Sequence, residues 1–191
     1  NMSVWFQNNV FTVIGLLLLI LLTTWTFTLT DSGRLMRDKL LLKIPIFGSI
    51  IKQNILSKFS KTFGILISSG VSVMEAMELV IRVVDNRVYE LAIKDATKNI
   101  ENGISISESL KITKVFPPIM IQLFSTGEET GEIDNLSLKA SDFYTKQVNA
   151  SVDRLTSIIE PLLIILVGLV IGGVIIVTYL PIFQVGAAIA N

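Results

Sequence analysis

The densest group of chemically capable side chains lies in the segment GEETGEID, which runs from Gly127 to Asp134. Its four carboxylates belong to Glu128, Glu129, Glu132 and Asp134. Acids before a helix are stabilised by the helix dipole at ~0.3–1 kcal/mol each, and this alone could explain them. They could also contact a basic partner, or bind a divalent cation weakly. The segment lacks the alternating oxygen ligands of an EF-hand, so capping ranks above metal binding. Gly127 and Gly131 are expected to permit tight backbone turns.

A second candidate is Glu160, the last charged residue of the chain, which is followed directly by Pro161. Its carboxylate could pair with Arg154 or with a basic group on another subunit. The simpler interpretation is a hydrated carboxylate at the level of the lipid head groups. Proline lacks a backbone N–H donor and clashes with the preceding turn, so we expect a kink or a helix restart at this step.

The chain contains no histidine and no cysteine. The commonest general base, the commonest metal ligand and any thiol nucleophile are therefore missing. The sequence also has no phosphate-binding motif of the form G-x-x-x-x-G-K-[ST] or G-x-G-x-x-G, and no G-x-S-x-G nucleophile motif. We therefore predict a protein that is not an enzyme and has no cofactor. A secondary transporter is disfavoured because neither predicted membrane span contains an ionisable residue.

These residues must be positioned by helices, because apolar residues recur at helical spacing through the charged middle of the chain. We predict six helices. The first runs from Asn54, a possible N-cap, to a stop at Gly70, and the second opens with the capping box Ser72–Glu75. The third covers Asn86–Asn102, a short fourth opens with the capping box Ser105–Glu108, the fifth begins at Pro117 and Pro118, and a long sixth starts at Glu132. The predicted core positions are Ile55, Phe59, Phe63, Leu66, Ile67, Val73, Met77, Val80, Ile81, Val84, Val88, Leu91, Ala92, Ile100, Ile119, Met120, Leu123 and Phe124.

Charge is segregated along the chain. All 16 basic and 16 acidic residues lie between Asp31 and Glu160. The two uncharged ends predict two membrane spans. A signal peptide is the competing interpretation of the first, but no basic segment precedes it, it has no small-residue cleavage site, and its apolar run is longer than that of an ordinary signal peptide. Lys and Arg follow the first span but do not precede it or follow the second, which predicts a cytoplasmic middle. The predicted segments are an extracytoplasmic lead-in (1–9), a transmembrane helix (10–30), a cytoplasmic helical domain (31–160), a transmembrane helix (161–183) and an extracytoplasmic tail (184–191).

Two further features concern the membrane. The stretch from Arg34 to Lys61 is basic, which predicts attraction to the anionic inner leaflet, or else a solvated helix face that only obeys topology. In the second span, Gly168 and Gly172 form a small-xxx-small pair next to Gly173, and such a pair lets another helix approach closely. We expect this glycine face to contact another span.

Four segments in order carry a resemblance to a known family: KIPIFG (Lys43 to Gly48), KFSKTFGILISSGVSVMEAMELV (Lys58 to Val80), FPPIMIQLFSTGEETGEID (Phe116 to Asp134) and IIEPLLIILVGLVIGGVIIVTYLPIF (Ile158 to Phe183). They resemble the type II secretion system F-domain family, the inner-membrane platform proteins of type II secretion and type IV pilus machines. The resemblance implies an all-α fold, with a cytoplasmic six-helix bundle flanked by two transmembrane helices, the last helix continuing into the membrane. It matches the C-terminal half of such proteins, so a first cytoplasmic domain is expected elsewhere.

The resemblance also implies function and partners. It indicates a platform in the cytoplasmic membrane that couples a cytoplasmic hexameric ATPase to pilin or pseudopilin polymerisation. Other inner-membrane assembly proteins, membrane lipid and further copies of the chain are expected partners, and nucleic acid is not. The positions that match the family's motifs, and are expected to serve assembly, are Gly70, Gly127, Glu128, Glu129, Gly131, Glu132, Glu160 and Pro161. The alternative is a membrane-tethered helical adaptor unrelated to secretion.

Overall fold

A computed structural model describes residues 30–189 of the 191-residue chain. These residues form seven α-helices and no β-strand, which confirms the all-α prediction. The helices are α1 (Asp31–Leu41), α2 (Phe47–Ser68), α3 (Val73–Val83), α4 (Arg87–Glu101), α5 (Ile106–Ile112), α6 (Pro118–Thr130) and α7 (Ile133–Ile189). The predicted lead-in and, apart from residue 30, the predicted first span lie outside the described residues, as do residues 190 and 191 of the predicted tail.

The starts of α3 and α5 follow from local capping. The Ser72 hydroxyl accepts a hydrogen bond from the Glu75 N–H at 3.3 Å, and the Ser105 hydroxyl accepts one from the Glu108 N–H at 3.3 Å. Both bonds satisfy a donor that has no partner inside the helix. Asn86 caps α4 in the same way. The predicted caps at Ser72 and Ser105 are therefore confirmed, and the third helix starts at Asn86 as predicted.

The end of α2 is set by Gly70. Its φ of 82° lies in the left-handed region, where only glycine is unstrained. The Gly70 N–H donates to the Ile67 carbonyl at 2.9 Å and the Val71 N–H to the Leu66 carbonyl at 3.0 Å, which is the Schellman pattern. Gly70 therefore ends the helix, as predicted.

The core lies where α2 to α6 and the first part of α7 meet, and it is built around aromatic rings. Phe59 packs against Phe116 with ring centroids 5.2 Å apart, and Phe63 against Phe124 at 5.5 Å. Tyr89 meets Phe116 edge to face at 5.7 Å. All five side chains are buried. Burying each of them contributes on the order of 1.5–3 kcal/mol, so this cluster supplies much of the stability of the bundle.

Three sequence predictions about this part are wrong. The second helix begins at Phe47, so Asn54 lies inside it and is not its cap. Leu91 and Ile119 were predicted to be buried but are 36% and 43% exposed. The buried side chains of α4 follow Tyr89 at intervals of three or four residues, so they share one face of the helix. Leu91 is about 200° around the helix from Tyr89 and therefore lies away from that face. In α6, Met120 and Phe124 form the buried face instead of Ile119. The six predicted helices are all present, and α1 is a further helix that the sequence analysis did not identify.

The chain divides into two units, one up to Val148 and one from Asn149 onward. The first part of α7 belongs to the first unit, where Ala140 and Tyr144 are buried. In the second unit the large apolar side chains from Leu162 to Ile176 are exposed, and α7 is long and apolar enough to be a candidate membrane span. The helix runs through Pro161 without a break, so the expected helix restart does not occur.

Candidate functional site

The GEETGEID segment joins α6 to α7, and its two glycines have different structural roles. Gly131 follows the end of α6 with a φ of 76°, so it makes the predicted turn. Gly127 is different: it is buried and helical, and an added Cβ would lie 2.8 Å from the Ile133 Cα. The prediction of a tight turn at Gly127 is therefore wrong. Glycine is required there because the end of α6 and the start of α7 approach too closely for a side chain.

Glu128 is the acid that the fold uses most directly. Its carboxylate accepts hydrogen bonds from the backbone N–H groups of Ile106 and Ser107, the latter at 2.9 Å. These are the first two residues of α5. The next N–H, of Glu108, is bound by the Ser105 hydroxyl. Capping by Glu128 therefore exists, but it acts on α5 and not on α7, and it ties α6 to α5 through charge-assisted bonds.

The other acids of the segment remain at the surface. Glu129 is exposed and accepts a hydrogen bond from the Ser125 hydroxyl at 3.1 Å. Glu132 is also exposed, and its backbone carbonyl accepts from the Leu136 N–H at 3.0 Å. Asp134 lies in the first turn of α7, where the dipole favours it. Within residues 30–189, no group of three or more acidic side chains is arranged to hold a metal ion.

A groove lies beside Glu129, between α5 and α6. It has a volume of about 550 Å³. Lys111 of α5 lines one side, and the α6 residues Pro118, Ile121, Gln122, Ser125, Thr126 and Glu129 line the other. The sequence analysis did not predict this groove, because it depends on how two helices pack. It places an acid and a base beside exposed apolar surface, which is suitable for contact with another protein.

Asp38 is a second carboxylate with a structural role, and it was not predicted. The residue is 3% exposed. One carboxylate oxygen is bound by the Arg37 guanidinium at 2.9 and 3.0 Å, and the other accepts the Arg87 N–H at 2.8 Å. Asp38 thus caps α4 from α1, complementing Asn86. The available signal was its isolation, since it is the only acid among residues 34–61.

Charged side chains reinforce this junction. The Arg87 guanidinium lies 2.5 Å from the Glu90 carboxylate and 3.6 Å from that of Asp31. A hydrogen bond from Lys94 lowers the pKa of the Glu90 carboxyl; burial opposes this, and the bond from Arg87 lowers it further. The same bond to Glu90 raises the pKa of Arg87. Glu90 therefore stays ionised, and its carboxylate pairs with Arg87 and Lys94 of the same helix.

The membrane-side candidates lie in the second unit. Glu160 is exposed, and no ion pair joins it to Arg154 in the described part of the chain. A separation of six residues places two side chains about 120° apart on a helix, which is unfavourable for pairing. A Cβ added at Gly168, Gly172 or Gly173 would meet nothing within 4 Å. The glycine face is therefore open.

Comparison with known proteins places this architecture in a family. Residues 59–181 match the family described as "Type II secretion system (T2SS), protein F". The chain is 36% identical over 190 residues to the type IV pilus assembly protein PilC of Myxococcus xanthus, covering 99% of this chain and 45% of the relative. It is 33% identical over 149 residues to the type IV pilus assembly protein PilC of Pseudomonas aeruginosa, which covers 78% of this chain and 40% of that relative.

A third relative comes from a secretion machine. The type II secretion system protein F of Vibrio cholerae is 28% identical over 172 residues, which covers 90% of this chain and 42% of the relative. The chain spans less than half the length of these curated relatives. The family match covers the last ten residues of α2, all of α3 to α6, and α7 as far as residue 181. On this evidence the chain belongs to the type II secretion system protein F family.

Proposed function

We propose that this chain is part of a platform protein in the cytoplasmic membrane that assembles a type IV pilus or a type II secretion machine. In this role it does no chemistry. Its helical body contacts a cytoplasmic hexameric ATPase, and its membrane segments contact one another and pilin or pseudopilin subunits. The observation that carries the proposal is the family match, because it extends from the helical bundle into the apolar part of α7.

The proposed mechanism is mechanical coupling. α7 contributes Tyr144 to the core of the first unit, and the same helix contains the candidate membrane span. Movement imposed on the helical body by an ATPase would therefore reach the bilayer through the α7 backbone. Such movement would help to transfer pilins from the membrane into a filament. The proposal includes the topology predicted from the charge distribution, with residues 31–160 in the cytoplasm and spans at 10–30 and 161–183.

Copurification tests the proposal. The full-length protein, tagged at a cytoplasmic site, is extracted from native membranes in mild detergent, and the bound proteins are identified by mass spectrometry. Recovery of a secretion-type ATPase together with pilin-like proteins is expected. Recovery of neither, from a folded and membrane-inserted preparation, would favour the membrane-tethered adaptor unrelated to secretion.

The ATPase contact is proposed to include Glu129, which lines the α5–α6 groove, and Glu132, which directly precedes α7. Both are exposed, whereas Glu128 is engaged in capping α5. Reversing both charges, in the variant E129K/E132K, should reduce recovery of the ATPase several-fold. The matched control is E78K/E101K, which reverses two exposed acids elsewhere in the bundle and should leave recovery unchanged. Equal recovery with both variants would exclude this contact.

A further inference from the structure

α1 and the turn after it leave a row of large apolar side chains uncovered. Met36 and Leu40 of α1 are 57% and 56% exposed, and Phe47 after the turn is 57% exposed. Ile44 and Ile46, in the turn itself, are also exposed. We call these five residues the α1 surface. Adjacent exposed apolar side chains of this size mark a contact with something other than water.

The part of the α1 surface that belongs to α1 lies opposite the contact between α1 and the helical body. At about 100° per residue, Met36 and Leu40 are about 40° apart on the helix, and each is about 160° from Asp38. Asp38 is the residue that binds α1 to α4. The side of α1 that carries the apolar row is therefore left free by the bundle.

The turn holds its part of the α1 surface in place. The Phe47 N–H donates to the Pro45 carbonyl and the Gly48 N–H to the Ile44 carbonyl, both at 2.8 Å. Ile46 has a φ of 68°, a conformation that costs a β-branched residue free energy. A Cβ at Gly48 would overlap the backbone of Leu42, so the turn packs tightly against the end of α1.

The charge around the α1 surface is positive. Lys39 and Lys43 are exposed and flank it, and neither is joined to an acid within the described residues. Asp38, by contrast, is buried and bound to Arg37 and to α4. Asp31 lies 3.6 Å from the Arg87 guanidinium. An apolar row with free lysines beside it fits the head-group region of an anionic membrane, where apolar burial and electrostatic attraction add.

The position of α1 in the chain supports the same partner, since the predicted first span ends at residue 30 and α1 begins at Asp31. We propose that the α1 surface binds the cytoplasmic face of the membrane, with its apolar side chains among the head groups and its lysines on anionic lipid. This inference rests on the membrane location within the proposed function. It assigns to residues 31–47 a role in holding the helical body at the bilayer surface.

Site-directed spin labelling tests the inference directly. The chain has no cysteine, so single cysteines can be introduced without removing any. Labels at Met36→Cys, Leu40→Cys and Phe47→Cys report the environment of the α1 surface in nanodiscs of phosphatidylcholine and phosphatidylglycerol. Leu91→Cys is the aqueous control, because Leu91 is an exposed apolar residue of α4. Leu169→Cys is the lipid control, because Leu169 is 72% exposed in the candidate span.

The expected result is several-fold greater accessibility to oxygen than to a water-soluble nickel chelate at the three α1-surface positions and at position 169, with the reverse at position 91. Labels on the α1 surface that behave like position 91 would overturn the inference alone. Labels shielded from both reagents would overturn it in favour of a protein contact. An aqueous signal at position 169 would overturn the membrane location of the proposed function as well.

A charge variant tests the lipid chemistry. Each lysine near an anionic bilayer contributes about 1 kcal/mol to binding. In nanodiscs with phosphatidylglycerol, K39Q/K43Q should therefore lower the ratio of membrane-bound α1 to detached α1 about fivefold for each lysine removed. The matched control R82Q/K98Q changes two bases of the bundle outside α1 and should have no effect. Insensitivity of the α1-surface labels to both lysine removal and phosphatidylglycerol would exclude the electrostatic part of the proposal.

Discussion

At the scale of single residues, two carboxylates cap helices that they do not belong to. Glu128 of α6 binds the first two N–H groups of α5, and Asp38 of α1 binds the first N–H of α4. A helix N-terminus has orphan donors and a partial positive charge, so a carboxylate is the best available partner. Because each carboxylate comes from another helix, capping here also fixes tertiary structure.

We predict that Glu128→Ala lowers the free energy of unfolding by about 1–3 kcal/mol, because two charge-assisted bonds to α5 are lost. For a chain of this size the expected fall in melting temperature is about 2–4 °C per kcal/mol. Thermal unfolding in detergent, followed by circular dichroism, measures the change. Glu129→Ala is the control and should stay within about 0.5 kcal/mol of wild type. Equal shifts for the two variants would show that the cap contributes nothing.

We predict that Tyr89 makes the bundle sensitive to alkali. Burial raises the pKa of Tyr89 to about 12, above its ordinary value of about 10. The folded state therefore keeps a proton that the unfolded state releases, and stability falls as pH rises from about 10 to about 12. Burial also raises the pKa of Tyr144, with the same sign.

Urea unfolding between about pH 9 and pH 12 checks this prediction. Tyr89→Phe should reduce the fall in the free energy of unfolding by about 1.4 kcal/mol for each pH unit between about 10 and 12, because the titrating group is gone. At neutral pH the variant loses only a long hydrogen bond, 3.4 Å from the hydroxyl to the Val115 carbonyl. The double variant Y89F/Y144F should be the least sensitive. An unchanged slope in Tyr89→Phe would contradict the assignment.

At the scale of elements, α1 is joined to the bundle chiefly through its contact with α4. Asp38 supplies a buried ionic cap, while the pairs Asp31–Arg87 at 3.6 Å and Arg34–Asp85 at 3.9 Å involve largely exposed acids. Exposed ion pairs contribute little, about 0–1 kcal/mol. The attachment of α1 therefore depends mainly on one residue.

We predict that Asp38→Ala detaches α1 without unfolding the bundle. Loss of the bonds to Arg87 and Arg37 should raise the rate of amide hydrogen exchange in α1 about 10- to 100-fold. This factor follows because a hydrogen bond to a charged group contributes ~1.5–3 kcal/mol. Hydrogen exchange with mass spectrometry resolves α1 from α4. Asp31→Asn removes only the exposed pair and should leave exchange almost unchanged. Unaltered exchange in Asp38→Ala would mean that apolar contacts hold α1.

At the scale of the whole molecule, the charged and uncharged parts of the chain meet different surroundings. The first unit buries an aromatic core, whereas the second exposes its large apolar side chains from Leu162 to Ile176. A helix that is apolar on all sides is stable when lipid or other helices surround it. Gly168 and Gly172 leave an open face on that helix, which another span could occupy closely.

We predict that Gly168→Leu or Gly172→Leu reduces homo-oligomer formation, because a bulky side chain prevents close helix approach. A contact between membrane helices contributes ~1–2 kcal/mol, so losing it should lower the association constant about 5- to 30-fold. Chemical crosslinking in native membranes measures it. Val170→Leu changes a residue on another face and should crosslink like wild type. An intact crosslinked oligomer in both glycine variants would exclude the glycine face as the contact.

Local chemistry, readable from the sequence, determined six of the seven described helices and most of their ends. Apolar spacing, the caps at Ser72, Asn86 and Ser105, and the stop at Gly70 act within a few residues, so they are visible without a fold. The uncharged end after Glu160 likewise indicated a membrane segment, and the family resemblance, confirmed by the match over residues 59–181, indicated the assembly role.

Only the tertiary structure decided which residues those helices bring together. The Glu128 cap joins positions 21 and 22 residues apart, and the Asp38 cap joins positions 49 apart. The close approach at Gly127, the exposure of Leu91 and the free row of the α1 surface depend in the same way on helix packing. Helical periodicity limits which faces can be buried, but the contacts between helices choose among them, because each contact needs the shape and charge of a distant partner.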